Sequence, residues 1–197
     1  MALTKLNNKA VANVTSIPVA LGNMVFISSA TASSSASIEF SLGNYKEYQF
    51  YFVNIHPSTQ SDFTFNMSTD NGSNYNVTKT STVFRAYNNP NDGVTSLAYD
   101  TGADLAQSTG EQITTSASDL GTDNIDNLSG KLCLFNPSST TYVKHYISNI
   151  NYIDYENITL NCFISGYCNT TSALTNIRFK MSSGNIDAGK ILMFGIN

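Results

Sequence analysis

The sequence predicts an all-β protein: a jelly-roll-like antiparallel β-sandwich with an extended N-terminal arm. Three observations lead there. Apolar residues recur at every second position in a series of short segments from residue 23 onward. Gly, Pro, Asn and Asp clusters punctuate those segments. Charged residues make up only 12% of the 197, against ~25% in ordinary soluble domains, and Ser, Thr and Asn fill the polar positions instead, as suits pleated strands and tight turns.

The chain divides into an arm at 1–22, suited to attachment or oligomerisation, and a sandwich domain at 23–197. In the arm, Leu3, Leu6, Val11, Val14 and Ile17 are apolar but follow neither a helical nor a strand period. Pro18 bars a continuous helix and Gly22 closes the segment. It reads as an extended arm packed on another surface, or as a disordered leader.

Alternation then begins. Met24, Phe26 and Ser28 alternate with Val25 and Ile27, and Ile38, Phe40 and Leu42 line a second strand that ends at Gly43-Asn44. Tyr48–Ile55 is apolar on both faces, the mark of a central strand buried on both sides or lying under a partner. Phe63, Phe65 and Met67 form the next strand. Asp70-Asn71-Gly72 turns the chain, and Tyr75, Val77 and Lys79 begin the return. Val83, Arg85 and Tyr87 make another strand.

Residues 88–130 are rich in turn residues and hold half of the acids, with a short helix fitting Ala103–Gln107. A loop of this length is usually functional or disordered. Tyr99, Asp100, Asp104, Asp119, Asp123 and Asp126 are therefore the candidate surface-binding residues. Strands resume at Leu132–Phe135, Tyr142–Ile150, Ile158–Ile164, Ile177–Met181 and Ile191–Ile196. No fixed-period repeat points to a propeller or solenoid.

Net charge is −4 and the ten basic residues are scattered, so nucleic acid is not an expected partner. No apolar run approaches the ~18 residues of a membrane helix, and residues 1–8 lack a continuous signal core. Cys133, Cys162 and Cys168 are odd in number. Cys162 and Cys168 could meet in a hairpin or stay as buried thiols, and the latter fits assembly in a reducing cytoplasm.

Catalytic signals are thin, and the expectation is a non-enzyme with no cofactor or bound metal. His56 and His145 sit in or at the ends of strands, and no Gly-x-Ser-x-Gly elbow is present. Asp119, Asp123 and Asp126 would be the carboxylates of a small polysaccharide-degrading enzyme, the third functional reading. The oxygen-rich stretch Asp70–Asn74 is explained by a hairpin turn, and calcium in the acidic loop has no supporting ligand pattern. Tyr51, Tyr87, Tyr99, Tyr146 and Tyr167 lie among polar residues, as sugar-contacting rings do, or as core and interface rings do.

The closing run Ile177-Arg178-Phe179-Lys180-Met181-Ser182-Ser183-Gly184-Asn185-Ile186 and its continuation to Gly195-Ile196 resembles the last segment of fibre-like structural proteins of marine and other tailed bacteriophages. Phe63–Thr78, Leu134–Thr141 and the leader Ala2-Leu3-Thr4-Lys5-Leu6 resemble them too. The resemblance implies a virion protein of tail-fibre or spike type, assembled in the host cytoplasm. Its implied partners are further copies of itself, expected as a homotrimer, other virion proteins, and a host-surface glycan or protein. A capsid decoration protein is the alternative. It transfers no active-site residue.

Overall fold

The computed structural model describes residues 24–116 and 119–197; the predicted arm lies outside the described residues. Among the described residues, alternating apolar positions become twelve strands. They are β1 (Val25–Thr31), β2 (Ile38–Ser41), β3 (Glu47–Pro57), β4 (Phe63–Ser68), β5 (Lys79–Asn88), β6 (Thr95–Tyr99), β7 (Gln112–Ile113), β8 (Leu128–Phe135), β9 (Lys144–Ile153), β10 (Thr159–Cys168), β11 (Asn176–Met181) and β12 (Ile186–Ile196). All pairings between them are antiparallel.

One sheet has the order β1-β12-β3-β8-β9-β10-β5-β6 and the other β2-β11-β4-β7. The first four strands of the large sheet and the four of the small one exchange repeatedly along the chain, in the manner of a jelly-roll-like sandwich. Two hairpins, β5–β6 and β9–β10, are inserted into that frame. They pair with each other through β10 and β5 and extend the large sheet by four strands.

Period two decides which side chains meet between the sheets. Tyr48, Phe50 and Phe52 of β3 face Phe63 and Phe65 of β4 and Ile177 and Phe179 of β11, and all are buried. Phe179 is the hub: its ring lies 5.2 Å from Phe52, 5.3 Å from Phe50 and 5.9 Å from Phe63. Tyr48–Ile55, read as buried on both sides or lying under a partner, is central and within the chain is buried on its inward face alone; Val53 on its outer face is 43% exposed.

At one point the β3–β12 ladder bulges. Gly189 has φ +109°, and a Cβ there would fall 2.5 Å from the carbonyl oxygen of Asn54 and 2.7 Å from Cα of Ile55. Both neighbours are backbone and cannot swing away. Gly189→Ala is expected to cost about 3 kcal/mol from the left-handed conformation plus the clash, read as a lower urea midpoint.

Three local expectations are corrected. Tyr75 and Val77 do not begin the return strand, which starts at Lys79. Tyr75 instead lies over the outer face of the small sheet, donating to Glu39 Oε2 at 2.9 Å, with the Arg178 guanidinium 4.3 Å from its ring centre. Ala103–Gln107 is not helical; the chain there runs along the start of β5, with Ser81 N–H donating to Leu105 O and Gln107 N–H to Thr80 Oγ1. The stretch 88–130 is not one open loop, for it contains β6 and β7.

Cys162 and Cys168 are both free and buried. They lie on one strand and face the same side, six residues apart, which is roughly 20 Å of extended chain. No disulfide spans that distance.

Candidate functional site

The inserted strands place their outward residues in register. Asn149, Phe163, Phe84 and Tyr99 form one row across β9, β10, β5 and β6, and Asn151, Asn161, Ala86 and Leu97 form the next. Ile147 lies on the other flank, opposite Ser165. The Phe84 and Phe163 rings stack at 4.9 Å with 10° between their planes. These side chains stay open to solvent: Phe84 is 43% exposed, Ile147 52%, Tyr99 52% and Leu97 72%.

Beside the row is a shallow groove of about 480 Å³ lined by Thr80, Thr82, His145, Ile147, Ser165 and Tyr167. Gln107 Nε2 donates to the Tyr167 hydroxyl at 3.0 Å, and Asn169 Nδ2 donates to Gln107 Oε1 at 2.6 Å. Outward positions of the four strands hold Ser, Thr, Asn, His and apolar residues, and no Lys, Arg, Asp or Glu.

Two of the five acids expected to form a binding loop are turned inward. Asp100 is buried: it accepts from the Ser116 hydroxyl and from Gly102 N–H, with Arg85 Nη1 at 3.6 Å. Asp126 is buried too, and accepts from Asp123 N–H at 3.0 Å. Asp100 holds the segment that covers the inner face of the inserted strands, whereas Asp126 closes its own turn. Gln112 and Ser116 of that segment bond the Tyr146 and Tyr152 hydroxyls. Asp104 and Tyr99 do come together, with the phenol donating to Asp104 Oδ2 at 2.7 Å, on the edge of the apolar row. Asp123 is exposed and Asp119 half-buried.

Of the five tyrosines picked out by their polar neighbours, Tyr146 is core and Tyr51 and Tyr87 are half-buried. Tyr99 and Tyr167 belong to the outer face or its groove. His56 contacts Asp187 at 3.7 Å, and His145 leans on Tyr167 with ring centres 6.3 Å apart. Among the described residues no group of three or more His, Cys, Asp and Glu could hold a metal ion.

Asp62 is the acid that sequence reading passed over. Burial, and then the neighbouring Asp119 and Asp100 charges, push its carboxyl up to about 6, while a hydrogen bond from Thr115 opposes them. A carboxyl raised in the folded state stabilises the fold fully below the unfolded pKa of ~3.9 and loses that contribution as pH rises through the folded value. Stability should therefore fall between pH 4 and pH 7. Asp62→Asn is expected to flatten that fall and to gain about 1 kcal/mol at pH 7.5, allowing for solvent screening. Urea unfolding at pH 5 and pH 7.5 measures both.

The chain matches no family model, no curated protein and no solved structure.

Proposed function

We propose that this chain is a non-enzymatic structural module of a tailed-phage particle, of tail-fibre type, and that its copies pack together through the outer face of β9, β10, β5 and β6. The observation that carries this reading is the exposed, charge-free row around Phe84 and Phe163. A face without charges gives a charged partner nothing to select, whereas another copy offers a matching neutral, apolar surface. Aromatic residues with depleted charge are the composition of interface cores. The fibre-like C-terminal run adds support from sequence. The jelly-roll-like exchange of strands between sheets also occurs in viral capsid and lectin domains, although folds of this kind host many functions.

In this reading the ends of the sandwich stay open to a host surface. Cryo-electron microscopy of the particle tests it. Density for this chain in the tail or its fibres, with the extended sheets of neighbouring copies in contact, is the expected result. Density spread over the head lattice would replace the reading with capsid decoration. Absence from the particle would overturn both.

A further inference from the structure

Lys79 is an inward-facing residue on β5 with no exposed surface. Its Nζ donates to Asn66 Oδ1 at 2.6 Å and to Val77 O at 2.8 Å. Both acceptors are neutral, and among the described residues no carboxylate lies within ion-pair distance of it. A buried ammonium without a counter-ion is costly, so the neutral amine is favoured. Burial lowers the Lys79 pKa to about 8, opposed by Cys168 and Glu111. At pH 7 roughly a tenth of the side chain is then a free amine, a nucleophile.

The carboxamide facing it is fixed in orientation. Asn66 Nδ2 donates to Thr109 O at 3.0 Å and to Gly110 O at 3.3 Å, and Oδ1 accepts Met67 N–H at 2.9 Å. Carbonyls only accept and a backbone N–H only donates, so the amide cannot be flipped. The carbonyl carbon lies one C=O bond beyond Oδ1, which places it no more than about 3.8 Å from the amine. That is close to attack distance. Its oxygen already has a backbone donor where negative charge would develop.

Other charged or ionisable groups nearby leave the amine free. Cys168 is paired in register with both Lys79 and Lys144, but burial pushes its thiol up to about 12, so it stays protonated. Lys144 is held by the carbonyls of Thr170 and Ser172. Glu111 is engaged by Arg178 at 2.7 Å.

We infer that Lys79 and Asn66 form an intramolecular isopeptide bond that staples β5 of the large sheet to β4 of the small one. The amine nitrogen of Lys79 attacks Cγ of Asn66 and the new C–N bond forms. The nitrogen's surplus proton passes to Nδ2, the Cγ–Nδ2 bond breaks, and ammonia leaves. No oxidant, metal or co-reactant is consumed, and a buried charge is converted into a neutral amide.

The test is the intact mass of the full chain, denatured, after incubation at pH 8.5. The expected mass is lower than that of the sequence by one ammonia, about 17 Da. A succinimide at Asn71-Gly72 would give the same loss, so tryptic mapping must accompany it. A linked Lys79 resists trypsin and leaves Glu47–Arg85 as one peptide, about 17 Da light. Asn66→Ala and Lys79→Met should each restore the full mass. A chain at its full sequence mass overturns the inference. So does a light chain that trypsin still cleaves after Lys79.

Discussion

Phe179→Ala should lower the unfolding free energy by about 4 kcal/mol, the middle of the range for truncating a buried ring. The side chain is fully buried at the middle of β11. Its ring centre lies within 6.4 Å of those of Phe40, Phe50, Phe52, Phe63 and Phe65. Phe50 and Phe52 come from the large sheet and Phe63 and Phe65 from the small one. Removing the ring therefore opens a void between layers that neither sheet can close alone, because each is held by its own ladder. Partial collapse would have to slide β3 against β4, and both are hydrogen-bonded on two sides. For a chain of this length the loss corresponds to a melting temperature lower by about 10 °C. A urea midpoint that falls while the m-value stays constant is the expected signature. A cost below about 1.5 kcal/mol would mean that the two sheets are not joined through this ring.

The burial of Phe179 is legible in the sequence, because Ile177, Phe179 and Met181 alternate with Arg178 and Lys180, and period two names the buried face. The same alternation locates most strands of the jelly-roll-like frame. It falters where contacts are long-range. β6 is five residues and β7 two, too short for a period to declare itself among turn residues. Lys79 and Lys144 occupy inward positions that a reading by polarity assigns to solvent. Their burial depends on carbonyls and an amide supplied by Asn66, Val77, Thr170 and Ser172.

The acids show the same limit. Asp100 is buried because Arg85 and Ser116 arrive from β5 and from a covering segment, and nothing beside Asp100 in sequence announces either. Tyr99 and Asp104 are five residues apart and meet directly, so local reasoning finds that pair and misses Asp62. The outer face is hidden for a related reason. Ile147, Phe163 and Phe84 look like ordinary strand residues until the register places them on one side of one sheet.

Replacing both Phe84 and Phe163 by Lys should leave the fold intact and abolish self-association. The rings are partly solvent-exposed on the outside of the sheet, so their loss leaves no cavity in the core. The two ammonium groups would sit on directly opposed residues of β5 and β10, where repulsion between exposed like charges is below about 1 kcal/mol. Melting temperature should therefore move by about 3 °C or less. Assembly is affected far more strongly. Each copy would bring two unpaired charges into a contact whose partner strands present no acid at their outward positions. Desolvating an unpaired ammonium costs several kcal/mol, so affinity should fall by a factor of about 1,000 or more. Sedimentation of the full chain distinguishes the outcomes. An oligomeric parent and a folded, monomeric double variant place the contact on this face. A variant that stays oligomeric moves the contact elsewhere. The single change Thr82→Ala on the same face should leave assembly unchanged, because it removes one hydroxyl without adding charge, and so separates an effect of charge from any effect of altering the sheet.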